Sequence, residues 1–205
     1  MHCGDYWKEF YSSNHATLSY RPKLEIIAED TSGYSYQTIG YKAATKSVTY
    51  YDGLSNSALS TEFQWAANSW WYSGAGVSVG ITGVYNYFWR VLKAGDDATL
   101  PSLPNGATGR NRFLVDNPSN PSEITASIIE INTAHALFSS STAYRNSIAR
   151  QSTFTHELGH TFGLDERDPN KENQNPWSVM SYSKDHHIVV LPSRRDIDDV
   201  IINYS

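Results

Sequence analysis

The five residues from His156 to His160, inside the stretch FTHELGHTFGLDERD at 154–168, constrain the fold more than any other feature of this chain. The two histidines stand four positions apart. On an α-helix that spacing puts both imidazoles on one face, about one turn apart, where two neutral rings can grip a single Zn²⁺. Glu157 points to a neighbouring face. It does not readily ligate the same ion, but its carboxylate can reach a water bound there, take a proton as that water attacks a peptide carbonyl, and pass the proton to the leaving amine. That division of roles is the physical content of H-E-x-x-H. Gly163 follows three residues after His160, and glycine enters the left-handed region cheaply, so it can stop the helix and let the chain turn back with another ligand. The sequence therefore predicts a helix from Thr142 through AYRNSIARQSTFTHELGHTFG, then a polar return loop over 164–182.

The chain around this segment reads as a globular protein. Its 205 residues are 40% hydrophobic and 18% charged, which fits one domain, or one domain with a small lobe, around a sizeable core. The 14 Tyr and 6 Trp suit half-buried pleated surfaces. A formal net charge of −5 with no Lys/Arg stripe argues against nucleic acid as a partner, and no apolar run is long enough to span a membrane. Cys3 is the single cysteine, so no internal disulfide can form and stability must come from packing and from bound metal. No basic segment followed by an apolar one opens the chain, so no signal peptide is expected within it.

Alternation and turn residues predict strands at SVTYYDG (47–53), VSVGITG (77–83), YNYFWRVLK (85–93), RFLVDN (112–117) and ASIIEINTA (126–134). A helix is expected over 60–76, capped by Ser60 or Thr61, with Phe63, Ala66, Ala67 and Trp70 at helical spacing and a Gly-Ala-Gly stop. A closing helix over 193–205 starts at Ser193 and puts Ile197, Val200 and Ile201 on one face. Residues 94–111 read as a long loop, and 1–44 as an extension with one or two short strands.

HELGHTFGLDE followed by SVMSY at 178–182 resembles the metzincin clan of zinc endopeptidases. That clan's pattern is H-E-x-x-H-x-x-G-x-x-H and then a methionine-containing turn beneath the metal. The order of elements over residues 45–205 is similar to that of matrixins and snapalysins. The resemblance implies an α+β fold: a twisted, mostly parallel sheet with two long helices in an upper subdomain (45–163), and a lower subdomain (164–205) with the Met-turn and the closing helix. Residues 1–44 fall outside it, as an N-terminal extension. Carried over by position, His156 and His160 match the helical zinc ligands, Glu157 the general base, Gly163 the turn and Met180 the Met-turn. Tyr182 matches the tyrosine that in astacins and serralysins approaches the metal and helps stabilise the oxyanion; a packed core tyrosine is the plain alternative.

The family's third histidine is missing. Its position is Glu166, where snapalysins carry Asp, and a carboxylate oxygen binds Zn²⁺ at nearly the distance of an imidazole nitrogen. Asp165 is the rival, shorter but one residue out of register, and His186 and His187 lie farther on. A gluzincin-type ligand at Glu172 would need a helix that DPNKENQNP does not favour. Cys3-Gly4 could plug the metal as in matrixin zymogens, but the family's flanking residues are absent and an incidental cysteine is the better reading. Structural Ca²⁺ could sit in the Asp- and Gly-containing loops, although no EF-hand spacing is present.

The expectation is a secreted, monomeric zinc endopeptidase acting on protein or peptide substrates, without nucleic-acid or membrane partners. An extended peptide should lie along an edge strand within 107–117. The segment 183–192 should line the pocket for the residue after the scissile bond, with Ile188 and Val189 making it apolar. The alternative is a non-catalytic binding module on the same scaffold; a scaffold that only binds has no chemical use for Glu157.

Overall fold

The computed structural model describes residues 39–100, 102–104, 106–115, 122–139, 141–167, 177–181 and 184–205. Cys3, Glu172, Tyr182 and most of the expected N-terminal extension lie outside the described residues. The architecture is α+β, with a mostly parallel five-stranded sheet and three α-helices.

A short strand β1 (Lys42–Ala43) pairs in parallel with β6 (Glu123–Ile124). The main sheet holds β2 (Ser47–Asp52), β3 (Ser78–Thr82), β4 (Trp89–Lys93), β5 (Gly109–Leu114) and β7 (Ala126–Ile131), in the order β3-β2-β4-β7-β5. All neighbours run parallel except β5, which is antiparallel to β7 and forms one edge. β2 shows the half-buried alternation read from its sequence, with Val48 and Tyr50 inward. β7 is buried at five of six positions, as expected of an interior strand covered on both faces.

Helix α1 (Ser57–Trp71) starts earlier than Ser60 or Thr61 would place it. Asn56 is the cap, because its Oδ1 accepts from the backbone N–H of Ala58 (2.9 Å) and Leu59 (3.3 Å). Its buried stripe, Leu59, Phe63, Ala66, Ala67 and Trp70, packs on α2 (Ala143–Thr161). Phe63 meets Phe154 and Trp70 meets Phe162 edge-to-face, at 5.3 and 5.6 Å between centroids. Arg150 of α2 makes a two-pronged ion pair with the buried Glu62 of α1, at 2.7 and 2.6 Å.

Residues 152–159 of α2 are buried without a break, although five of the eight are polar. The hydroxyls are satisfied locally or across the core. Thr153 and Thr155 donate to carbonyls one turn back, Ser152 donates to the Val189 carbonyl (2.6 Å), and Thr161 joins Tyr50 and Ser127. Burial, countered in part by those two hydroxyls, drives the Tyr50 phenol well above its ordinary value, so it stays neutral in the core.

The last helix, α3 (Arg194–Asn203), carries a full capping box between Ser193 and Asp196. Val200 is buried on its inner face, whereas Ile201, expected beside it, is largely exposed. Asp196 is fully buried and also collects Arg167 Nε (3.1 Å), Ser178 Oγ (2.6 Å) and the backbone N–H of Val179 (3.0 Å). No helix among the described residues is long and apolar enough to cross a membrane.

Candidate metal centre

α2 delivers His156 and His160 one turn apart, and Gly163 ends that helix at φ +88°. Only glycine fits there: a Cβ would overlap the Asn203 side chain and come 2.6 Å from the Tyr41 carbonyl. The chain then reverses through Leu164, and Glu166 returns over the two rings. His156 Nε2 lies 3.1 Å from Glu166 Oε1, His160 Nε2 lies 3.4 Å from the same oxygen, and the two Nε2 atoms are 3.2 Å apart. Asp165 is exposed, and its Oδ1 accepts the backbone N–H of Glu166 at 2.8 Å. His186 and His187 are not part of this triangle.

Hydrogen bonds on the far side of each ring fix which nitrogen faces inward. His160 Nδ1 stands 2.8 Å from the Leu164 carbonyl and His156 Nδ1 stands 3.0 Å from the Val179 carbonyl. A carbonyl only accepts, so both Nδ1 atoms carry the proton and both Nε2 atoms present lone pairs. Lys184 Nζ is also 3.1 Å from His156 Nδ1, but an ammonium can donate there only if Nδ1 is bare. The two contacts exclude each other. The one to Val179 belongs to the tautomer whose Nε2 can ligate, the outer hydrogen bond that metal-binding histidines commonly make.

Two imidazole lone pairs and a carboxylate oxygen thus point at one another. A tetrahedral ion with ligands at about 2.0–2.2 Å holds them about 3.3–3.5 Å apart, close to the separations found. One shared proton would satisfy a single contact of the three, and Glu166 Oε2 is buried with no hydrogen-bond partner among the described residues. The donor set therefore fits a divalent cation. Burial opposes charge on His160, yet the Glu166 hydrogen bond and the fields of Glu157 and Glu166 outweigh it and raise its pKa. Glu166 is lowered well below the usual carboxylate range: burial acts against this, but its hydrogen bonds to both rings win.

Glu157 is buried beside the triangle. The nearest donor atoms of His156, Glu157 and His160 all lie within 4.8 Å of one another, a group that could hold a metal ion. The Glu166 oxygen closes more tightly on both rings, so Glu166 completes the triangle and Glu157 stands beside it. β5 makes room for Glu157: a Cβ on Gly109 would come 2.9 Å from Glu157 Oε1, and Asn111 Nδ2 donates to the Glu157 carbonyl (2.8 Å). Met180 is fully buried beneath α2 and lies against Gly159, between the two histidines, where an added methyl would overlap its Sδ. No family model matches the sequence, and no curated protein matches it.

A cleft of about 250 Å³ opens beside the centre, lined by Gly106–Gly109, Thr153, His156, Glu157, Glu166, Ser181, Lys184 and His186. A larger hollow of about 470 Å³ lies on α1 around Trp65, Tyr72 and Leu191, but no acid, base or histidine lines it. Neither Ile188 nor Val189 reaches the cleft: Ile188 is half exposed and Val189 is buried in the core. The segment 183–192 instead contributes Lys184 and His186 to the lining of this cleft. Burial holds His186 down to about 3, helped by the charge of Lys184, so the ring is neutral. Burial also pulls Lys184 down to about 8, against the pull of Glu166, Glu157 and Asp196. Sequence reasoning missed Gly159, Gly109 and Lys184. Gly159 had a signal in its place between the two histidines; Lys184 fell within the expected pocket segment without being singled out.

Proposed function

We propose that this chain is a zinc-dependent endopeptidase of the metzincin type. The observation that carries the reading is the triangle of His156 Nε2, His160 Nε2 and Glu166 Oε1, with both rings held in the ligating tautomer. Zn²⁺ bound there would polarise a peptide carbonyl and acidify a water in the position left open by three protein ligands. Glu157, buried beside the triangle, would serve as the base that takes a proton from water and returns it to the departing amine. β5 supports the substrate side of the reading. Among the described strands it is the antiparallel edge of the sheet, it begins at the cleft, and an extended peptide can add on the side away from β7 through main-chain hydrogen bonds. The Met180 packing under Gly159 and the Asp196 hub behind Val179 hold the histidines in place from below.

A protein or peptide substrate, a monomeric state and a secreted location go with this proposal. Tyr182 keeps its proposed place beside the oxyanion by sequence position alone. The test is metal analysis combined with casein digestion. Stoichiometric zinc and cleavage abolished by a chelator support the reading; cleavage that survives complete metal removal overturns it.

A further inference from the structure

We infer that the cleft beside the metal centre receives a carboxylate, held by Lys184, so that the preferred substrates carry an acidic group next to the scissile bond. The inference rests on the peptidase reading above and adds a substrate class to it. In the ligating tautomer, His156 Nδ1 gives its proton to the Val179 carbonyl and can no longer accept from Lys184. That contact is the only side-chain hydrogen bond of Lys184 among the described residues, and it forms no ion pair among them. What remains is an ammonium with 7% exposure that lines the cleft and, among the described residues, has no acceptor left. A buried unpaired charge is costly, so the site favours an anion there.

The surrounding charges point the same way. A divalent ion offsets Glu157 and Glu166, and the ammonium is then the charge left over. His186 is neutral and the Thr153 proton goes to the Ala149 carbonyl, so Lys184 is the cation of this wall. The Met-turn sets the position of the lysine, whose backbone N–H reaches the Ser181 carbonyl at 3.4 Å. The carboxylate could be a glutamate or aspartate side chain, or the C-terminus of a short peptide. Both offer the same two oxygens.

The experiment measures binding without turnover, on zinc-loaded Glu157→Gln protein, by calorimetry with matched peptides. One pair differs only by Glu against Gln after the scissile bond, with amidated ends. A second pair differs only by a free against an amidated C-terminus. The expected result is a preference of about tenfold or more for the carboxylate in at least one pair. The pair that responds tells side chain from C-terminus. The preference should vanish in Lys184→Met, which keeps the volume, and persist in Lys184→Arg, which keeps the charge. Thermal melts establish that each variant folds. Equal binding of both members of both pairs overturns the inference, as does a preference that survives Lys184→Met. Casein cleavage by the unsubstituted protein is scored separately, so a peptidase without acid preference and a protein that cleaves nothing give different patterns.

Discussion

At the residue scale, two carboxylates lie beside the same pair of rings, and their roles separate by distance. Glu166 Oε1 closes on both Nε2 atoms, whereas Glu157 stands beside them next to Gly109. Glu157→Ala is therefore expected to keep zinc at equal stoichiometry and to lose casein cleavage by about a hundredfold or more. Should that variant cleave as fast as its parent, Glu157 is not the base. Glu166→Ala removes one of the three proposed ligands and is expected to release zinc on dialysis, while Asp165→Ala, at an exposed carboxylate, retains it. Metal content of the two dialysed variants decides between them. The register of the histidine pattern pointed to Glu166 and left Asp165 open; the path of the chain after Gly163 brings the Glu166 carboxylate, not that of Asp165, within 3.4 Å of both rings. The sequence placed 183–192 along the substrate pocket but did not single out Lys184, because its place depends on how the turn after Met180 folds.

At the element scale, α2 is the beam on which the centre is built, and its fit to its neighbours is tight. Gly159→Ala would push a methyl into Met180 and toward Trp70 Cζ2 at 3.3 Å. Overpacking of this kind costs about 1–3 kcal/mol, and zinc affinity should weaken with it, since the methyl sits between the two histidines. A variant as stable as the parent in urea, with unchanged zinc affinity, would contradict this packing. Arg150→Met leaves Glu62 buried without its partner and is expected to cost on the order of 3 kcal/mol in chemical denaturation. Most elements could be read from the sequence: β2, β3 and β7 from alternation, α2 from Thr142 and Gly163, α3 from its capping box. The start of α1 was misplaced because Asn56 lies ahead of the apolar stripe. β5 was begun late because Gly109 and Asn111 look like loop residues; their reasons for being in a strand are Glu157 and the α2 backbone they face.

At the scale of the whole molecule, a metal bound as proposed would compete with protons for the same lone pairs. In the metal-free protein, His160 is raised, so its contribution is fully present below about 6.5 and is lost as pH rises through its higher folded value. Glu166 is lowered, so its contribution is present above about 4.5 and is lost as pH falls toward its folded value. The two overlap between about 4.5 and 6.5. The melting temperature of chelator-treated parent should exceed that of Glu166→Gln most in that window, and an advantage that kept growing above it would contradict the assignment. Zinc at a hundred times its dissociation constant adds about 2.7 kcal/mol, or about 5–10 °C in Tm for a chain of this size. That gain should shrink as the pH falls and the histidines take up protons. The central claim is that two rings and one carboxylate close around a single zinc ion, and X-ray absorption at the zinc edge of the loaded protein tests it most directly. The account predicts two imidazoles plus oxygen at about 2.0–2.2 Å; failure to take up zinc, or a shell of oxygen alone, would contradict it.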